Sequence, residues 1–360
     1  MLRHETKTAY EVFPSRSTRP DAGGAAPALD VAILGAGLMG RWHAHAARRL
    51  GARVVAVADP DAASARALAG PGVPVFADPD ALFGAIRPAV VHLCSPTATH
   101  GGAIRAAIAQ GVHVFAEKPL AADAAETRDL CNLAQRAGVL LCPVHQYAFQ
   151  PSVERIVAQQ GRAGRLELVE MSYFSAGATG AAAEDLPRIA ADILPHPVAI
   201  AQRLWPEHPL DALDWTMTAA GAHGWQVTTV IGSATLRITL NLAARPTEAT
   251  LALRGERGAW EADLFHGYSR FRDGAVGRRS KALRPFRDAL SVLGHASANM
   301  AGRVMRREPA YPGLRTLTAA FYAAIAGRSA APISADQIIA VAVLRDLFLL
   351  RTANQKTGAQ

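Results

Sequence analysis

The sequence contains a lysine and a histidine whose surroundings suit acid–base chemistry. Lys118 follows the apolar run 112–116, within Glu117-Lys118-Pro119, where a strand would give way to a loop. A lysine there can donate to a hydroxyl or carbonyl oxygen and position it. Asp192 and His196 stand at i and i+4, on one face of a helical turn, although Pro195 lies between them. The alternatives are a surface lysine and a structural buried histidine.

A glycine-rich turn precedes these residues in the chain. Gly35-Ala36-Gly37-Leu38-Met39-Gly40 follows a short apolar run and opens a helical stretch. Gly35 permits the tight turn, Gly37 lets the backbone approach a pyrophosphate, and Gly40 lets the helix pack on the strand. Asp59 stands about 20 positions after the last glycine, where a ribose hydroxyl needs an acceptor. The pattern predicts a dinucleotide site formed by Gly35, Gly37, Leu38, Met39, Gly40 and Asp59.

The residues after Asp59 bear on the choice of cofactor. Pro60 follows directly, and no arginine stands immediately beyond it to hold a 2′-phosphate. NAD(H) is therefore favoured, and NADP(H) stays open because Arg66 could reach the same place.

The composition is that of an ordinary globular protein. The chain has 360 residues, 50% of them hydrophobic and 19% charged, which suits two domains. We expect neither a membrane span nor a secretory signal, and a cytoplasmic location. Cys94, Cys131 and Cys142 are scattered, which favours a reducing compartment and buried packing. No clustered Cys/His spacing occurs, so no metal site is expected.

The net charge of +8 is unevenly distributed. Basic residues are dense in segment 278–308, interleaved with apolar ones. One interpretation is a solvent-exposed helical segment that packs on the second domain. The sharper one is a basic amphipathic element that makes weak contact with an anionic membrane surface, or that holds a phosphorylated substrate. Nucleic acid is not expected, since no recognised binding module is present.

Strands alternate with helices up to residue 150. Helices are predicted at 62–69, 79–86 and 99–110, and strands at 73–76, 89–93 and 112–116, which gives a doubly wound parallel sheet. Loops at the carboxyl ends of its strands line the cofactor crevice. They place Ser95, Pro96, Thr97, His100, Glu117 and Lys118 beside the dinucleotide.

From about residue 151 the pattern changes to longer strands. They are predicted at 166–174, 213–219, 226–231, 235–243 and 249–253, an open, mostly antiparallel sheet. The fold class is thus α/β, with an N-terminal Rossmann sheet and a C-terminal α+β domain. We divide the chain into a flexible extension (1–28), a dinucleotide domain (29–150), a substrate and dimerisation domain (151–350) and a tail (351–360).

These motifs together resemble the Gfo/Idh/MocA oxidoreductases. The likeness rests on GAGLMG, SPTATH, EKPLA and the stretch around Gln146 and Tyr147, and it extends from Asp30 to about Leu350. It implies a Lys118–Pro119 bond that is often cis, a substrate pocket on one face of the second sheet and a homodimer or homotetramer. Asp192 and His196 resemble the family's D-x-G-x-H, whose histidine exchanges the substrate proton and whose aspartate orients the substrate.

The sequence departs from the family at two points. Leu194 replaces the glycine of D-x-G-x-H, and Ala148 replaces the arginine that commonly follows Tyr147. The pocket is therefore expected to be reshaped, although Lys118, Asp192, His196, Gln146 and Tyr147 are still expected to contact a substrate.

The resemblance and the residues together predict an NAD(P)-dependent oxidoreductase. The expected substrate is a secondary alcohol or ketone of a sugar, cyclitol or nucleotide-linked sugar, and the basic balance favours a phosphorylated one. Two alternatives stay open: a redox-neutral enzyme with tightly bound NAD, which eliminates or cleaves a glycosidic bond, and a non-catalytic NAD-binding regulator.

Overall fold

The computed structural model describes residues 28–275, 277–308 and 310–357. The predicted N-terminal extension lies outside the described residues except for Ala28. Two sheets organise the chain, one of six strands and one of seven. This confirms the predicted fold class. Within the described part of the chain, no helix is both long and apolar enough to cross a membrane.

The first sheet is wholly parallel and has strand order β3-β2-β1-β4-β5-β6. Its strands are buried apolar runs, and aspartates whose side chains accept a backbone N–H begin three of its helices, at Asp61, Asp78 and Asp123. The strands are β1 (Asp30–Leu34), β2 (Arg53–Ala58), β3 (Val75–Phe76), β4 (Val90–Leu93), β5 (His113–Ala116) and β6 (Leu141–Pro143). The helices are α1 (Leu38–Arg49), α2 (Ala62–Ala69), α3 (Pro79–Ala85), α4 (His100–Ala109) and α5 (Ala124–Arg136).

The second sheet has strand order β13-β12-β11-β7-β10-β9-β8, and only its β7–β10 pair is parallel. Its strands are β7 (Leu166–Phe174), β8 (Thr216–Ala219), β9 (Gly224–Ile231), β10 (Ala234–Asn241), β11 (Glu248–Gly255), β12 (Gly258–Asp263) and β13 (Tyr268–Asp273). The helices are α6 (Pro151–Gln159), α7 (Leu186–Ile193), α8 (Pro195–Leu204), α9 (Arg278–Arg306), α10 (Pro312–Ile325) and α11 (Ala335–Thr357).

The sequence prediction missed two strands of this sheet. β12 and β13 are short, and charged residues such as Glu261, Arg270 and Arg272 interrupt their apolar pattern. These charged residues are accommodated in the sheet because they pair across the strands. Arg270 and Arg272 both donate to the Glu261 carboxylate, at 2.6 Å.

Two further boundaries differ from the sequence division. Helix α11 continues to Thr357, so residues 351–357, assigned to a tail, are helical. Helix α10 belongs spatially to the first domain, because Phe321 stacks on Phe115 of β5 with ring centroids 5.3 Å apart. A contiguous division at residue 150 therefore does not follow the packing.

Candidate active site

The glycine-rich turn connects β1 to α1 at the carboxyl edge of the parallel sheet. Gly35 has φ +98°, and a Cβ there would lie 2.7 Å from the carbonyl carbon of Cys94. A Cβ on Gly40 would lie 1.9 Å from the Gly35 oxygen, so α1 packs directly on the turn. Gly37 has nothing within 4 Å of the same position. Leu38 is exposed and Met39 partly buried.

The N-terminus of α1 fits a dinucleotide pyrophosphate. Gly37 is its N-cap and provides no side-chain hydrogen bond to the first turn. The first N–H groups of the helix, which carry positive potential, are thus free of a side-chain cap and face the open space at Gly37. This turn can hold the phosphates of NAD(H) or NADP(H).

Asp59 directly follows β2 and faces the same turn. Its Oδ2 accepts from Ala36 N at 2.6 Å, and its Oδ1 accepts from Asp61 N at 2.8 Å. These two bonds fix the carboxylate, and each oxygen retains a second acceptor direction. The arrangement leaves Asp59 able to accept a ribose hydroxyl.

The loop after β4 is tied to the loop after β5 by His100. Its Nε2 lies 2.9 Å from the Ser95 oxygen and its Nδ1 lies 3.0 Å from the Pro119 oxygen. We predicted His100 as a cofactor ligand; because both ring nitrogens face backbone carbonyls, its role in this structure is to hold the two loops together. Pro96 is exposed, and Thr97 begins a short 3-10 turn above the crevice.

Lys118 lies just beyond β5, next to a cis bond to Pro119. Its Nζ donates to the backbone oxygen of Asp192 at 2.8 Å. Burial lowers the pKa of Lys118 below its usual 10.5, and Glu117 and Asp192 act against that shift. An ammonium has three donors, so two stay available for a ligand when Asp192 takes one.

The side chain of Asp192 does not point at His196. Its Oδ1 accepts from Arg345 Nη2 at 3.1 Å and from Arg345 Nε at 3.3 Å. The predicted single helical turn is also interrupted, because α7 ends at Ile193 and α8 begins at Pro195, which has no N–H. Asp192 therefore positions Lys118 through its carbonyl, and Arg345 of α11, which the sequence analysis missed, anchors its carboxylate.

His196 lies in an aromatic enclosure at the start of α8. Its ring centroid is 4.5 Å from that of Tyr147 and 6.5 Å from that of Tyr173. Burial, then the charge of Lys118, holds the pKa of His196 well below 6.5. The imidazole is consequently neutral at neutral pH and able to accept a proton.

His145 is a second buried histidine at this site, and the sequence analysis missed it. It follows β6, at the same sheet edge as Lys118, and a position after a parallel strand was the available signal. Burial and the nearby Lys118 charge lower the pKa of His145 to about 4. Lys118, His145 and Arg345 also line a small cleft between the loop after β5 and α11.

Buried polar atoms without partners mark the site as one that a ligand completes. At this site these atoms are His145 Nδ1, Gln146 Oε1, Tyr173 OH and His196 Nδ1, and other atoms of this kind lie elsewhere in the described residues. An unpaired buried polar atom costs about 1–3 kcal/mol. Their concentration beside Lys118 indicates a polar ligand, whose hydroxyl or carbonyl groups would satisfy them.

Glu117 begins a buried hydrogen-bonded chain that crosses the first domain. His43 Nε2 lies 3.1 Å from Glu117 Oε1, the Nδ1 atoms of His43 and His92 are 3.0 Å apart, and His92 Nε2 lies 2.8 Å from Tyr322 OH. An ionised Glu117 only accepts, so with neutral rings each donor is fixed: Tyr322 to His92, His92 to His43, and His43 to Glu117. The chain joins α10 to the residue beside Lys118.

Replacing Tyr322 with Phe should lower the free energy of unfolding by about 1–3 kcal/mol, because His92 Nε2 would be left buried without its donor. Urea unfolding measures the change. Tyr268→Phe, at a half-exposed position of β13, is the matched control and should stay within about 0.5 kcal/mol of wild type. Equal stabilities of the Tyr322 and Tyr268 variants would contradict the directed chain.

Known proteins are similar to this chain in sequence and in fold. Residues 29–145 match the model of an oxidoreductase family described as having an NAD-binding Rossmann fold, Gfo/Idh/MocA. The chain is 33% identical over 135 residues to D-glucoside 3-dehydrogenase of Escherichia coli, which covers 36% of this chain and 38% of that enzyme. It is 33% identical over 143 residues to inositol 2-dehydrogenase of Rhizobium meliloti, covering 39% and 43%.

The chain thus matches less than half the length of these curated relatives. Similarity of structure extends further. The WlbA dehydrogenase from Bordetella pertussis, solved with NADH and UDP-GlcNAcA, superposes with a TM-score of 0.69 at 16% identity, covering 91% of this chain and 96% of that one. At this identity the likeness shows the fold, in both domains.

Proposed function

We propose that the chain, whose residues 29–145 match the Gfo/Idh/MocA oxidoreductase family, transfers a hydride between NAD(P) and a secondary alcohol or ketone of a sugar, cyclitol or nucleotide-linked sugar. The observation that carries the proposal is the meeting of Lys118 with two neutral histidines and unpaired buried polar atoms at the edge of the parallel sheet. His100 connects this cluster to the loop that abuts the glycine-rich turn.

The chain's own residues supply positioning and proton transfer. Lys118 donates to the oxygen of the reacting carbon and stabilises the negative charge that develops there. His196 accepts the hydroxyl proton during oxidation and returns it during reduction. The Asp192 carbonyl, held through Arg345, orients Lys118. Nicotinamide, when bound, supplies hydride chemistry at its ring.

The substrate class is supported by the relatives and by the site. D-glucoside 3-dehydrogenase and inositol 2-dehydrogenase, by their names, act on polyhydroxylated rings. The site offers several unpaired polar atoms for such a ring. Leu194 and Ala148 replace the family's glycine and arginine, and both are buried with 1% exposure. Because of these two replacements, we expect the substrate of this chain to differ from the substrates of those two relatives.

Turnover tests the proposal. The full chain with NAD⁺ is offered a panel of hexoses, inositols and nucleotide-linked sugars, each in neutral and phosphorylated form where both exist, and NADH is followed by absorbance. Net NADH with at least one member is the expected result. Consumption of a substrate without net NADH, by protein that retains NAD through purification, would replace the proposal with redox-neutral catalysis. Equal turnover of a neutral compound and its phosphate ester would remove the preference for anionic substrates.

Replacing Asp59 with Ala should weaken NADH binding about 10-fold or more and leave NADPH binding unchanged or improved. The variant loses a charged acceptor for the ribose and a charge that repels a 2′-phosphate. Fluorescence titration with each nucleotide measures both constants. Asp61→Ala removes a neighbouring carboxylate that caps α2, and it should not change the NADH to NADPH ratio. If the ratio of the NADH and NADPH dissociation constants were unchanged in the Asp59 variant, the preference for NAD(H) would be contradicted.

A further inference from the structure

Helix α9 is attached to the second domain through its polar face. Asp288 pairs with Arg272 at 3.1 Å and with Arg270 at 3.5 Å, both on the edge strand β13. Farther along, Asn299 Nδ2 donates to the His266 oxygen at 2.9 Å, and Arg303 Nη1 donates to the same oxygen at 3.1 Å. The contacts that hold this 29-residue helix are therefore hydrogen bonds and ion pairs.

The opposite face of α9 is apolar and points away from the protein. Its large side chains recur at spacings of three, four and seven residues, which places them on a single stripe. They are between 57% and 72% exposed: Leu283, Phe286, Leu290, Leu293, Met300 and Val304. A helix that rests on a soluble protein normally has the reverse orientation, with its apolar face inward. A contiguous exposed stripe of this kind marks an interaction surface.

The charges beside the stripe identify what covers it. Lys281 and Arg287 are exposed near the first end of α9, and Arg307 is exposed at the other. Three further arginines of the segment bond to the protein itself: Arg284, Arg303 and Arg306. Within the helix the acidic residue is Asp288, which is already paired with β13. Two copies of α9 would bring basic residues against basic residues whether they paired parallel or antiparallel. An anionic lipid surface complements both ends at once.

We propose that α9 binds the surface of an anionic bilayer. The helix lies in the plane of the membrane, with its apolar stripe entering the headgroup region over roughly 30 Å, at 1.5 Å per residue. The exposed side chains of Lys281, Arg287 and Arg307 contact lipid phosphates, and their methylene stems cover the edge of the stripe. The protein body sits above the helix on its polar face.

Flotation with lipid vesicles tests the proposal on the full chain. One set of vesicles contains phosphatidylcholine only, and the other contains phosphatidylcholine with phosphatidylglycerol. We expect binding to the anionic set, weakened by added salt, and about 10-fold or greater loss of binding in the double variant Leu290→Glu, Leu293→Glu. Val230→Glu is the matched control, since Val230 is also an exposed apolar residue but lies on β9, and it should bind as wild type does.

Three results would overturn the proposal. The first is binding to neither vesicle set, and the second is equal binding by wild type and the double variant. The third is self-association in solution that the double variant abolishes, with no vesicle binding, which would assign the stripe to a second copy of the chain. Circular dichroism and NADH titration check that the double variant is folded, because both substitutions lie outside the dinucleotide site.

Discussion

Replacing Lys118 with Met is expected to lower kcat about 10²- to 10³-fold, with a much smaller effect on NADH binding. Met keeps the length of the side chain and removes the donor that faces the reacting oxygen. The loss falls on the chemical step because the charge that Lys118 stabilises is largest in the transition state. Steady-state rates on the best substrate, together with NADH titration, measure the two effects separately.

Lys281→Met is the matched control for Lys118. It removes the same ammonium group from an exposed position on α9 and should leave turnover of a soluble substrate unchanged. The Lys118 variant should also remain folded, because burial opposes the charged form of this lysine. The two carboxylates near it keep other partners, Glu117 with His43 and Asp192 with Arg345. Retention of more than half of wild-type kcat by Lys118→Met would exclude Lys118 from the reaction.

Replacing His196 with Asn should lower kcat about 10²- to 10⁴-fold by removing the group that exchanges the hydroxyl proton. His208→Asn, at an exposed histidine beyond the end of α8, is the control and should have wild-type activity. A His196 variant that fails only in substrate affinity, with kcat intact, would make this residue a binding group instead.

The pH profile gives a second readout of His196. Oxidation needs the neutral imidazole, which exists above its pKa, and that pKa lies well below 6.5 because the ring is buried near Lys118. The acidic limb of kcat/KM for oxidation should therefore fall below pH 6.5 and disappear in the Asn variant. For reduction the protonated ring is required, so the rate should rise as the pH falls. An acidic limb above pH 6.5 would contradict this assignment.

The first domain was largely predictable because its signals are local. The helix predicted at 62–69 is found as Ala62–Ala69, since the Asp61 cap and Gly70 delimit it in sequence. The resemblance to the family also located Lys118 and His196. In contrast, β12 and β13 were missed because their charged residues are satisfied by partners on the neighbouring strand and on α9.

Parts of the candidate site depend on contacts between distant segments. Arg345 reaches Asp192 from α11, and Tyr322 reaches His92 from α10, so no spacing in the sequence reveals either pair. A one-dimensional pattern also could not show that the apolar stripe of α9 faces outward, because the pattern is the same for either orientation.

Titration of the full chain with NADH and with NADPH, followed by fluorescence, is the most direct test of the dinucleotide site. We expect saturable binding of NADH, tighter than that of NADPH. Gly40→Ala should weaken it about 10-fold or more, because the added Cβ would meet the Gly35 oxygen, whereas Gly102→Ala, which has open space in α4, should not. Failure of the wild-type chain to bind either nucleotide would contradict the assignment of a dinucleotide site and with it the proposed oxidoreductase.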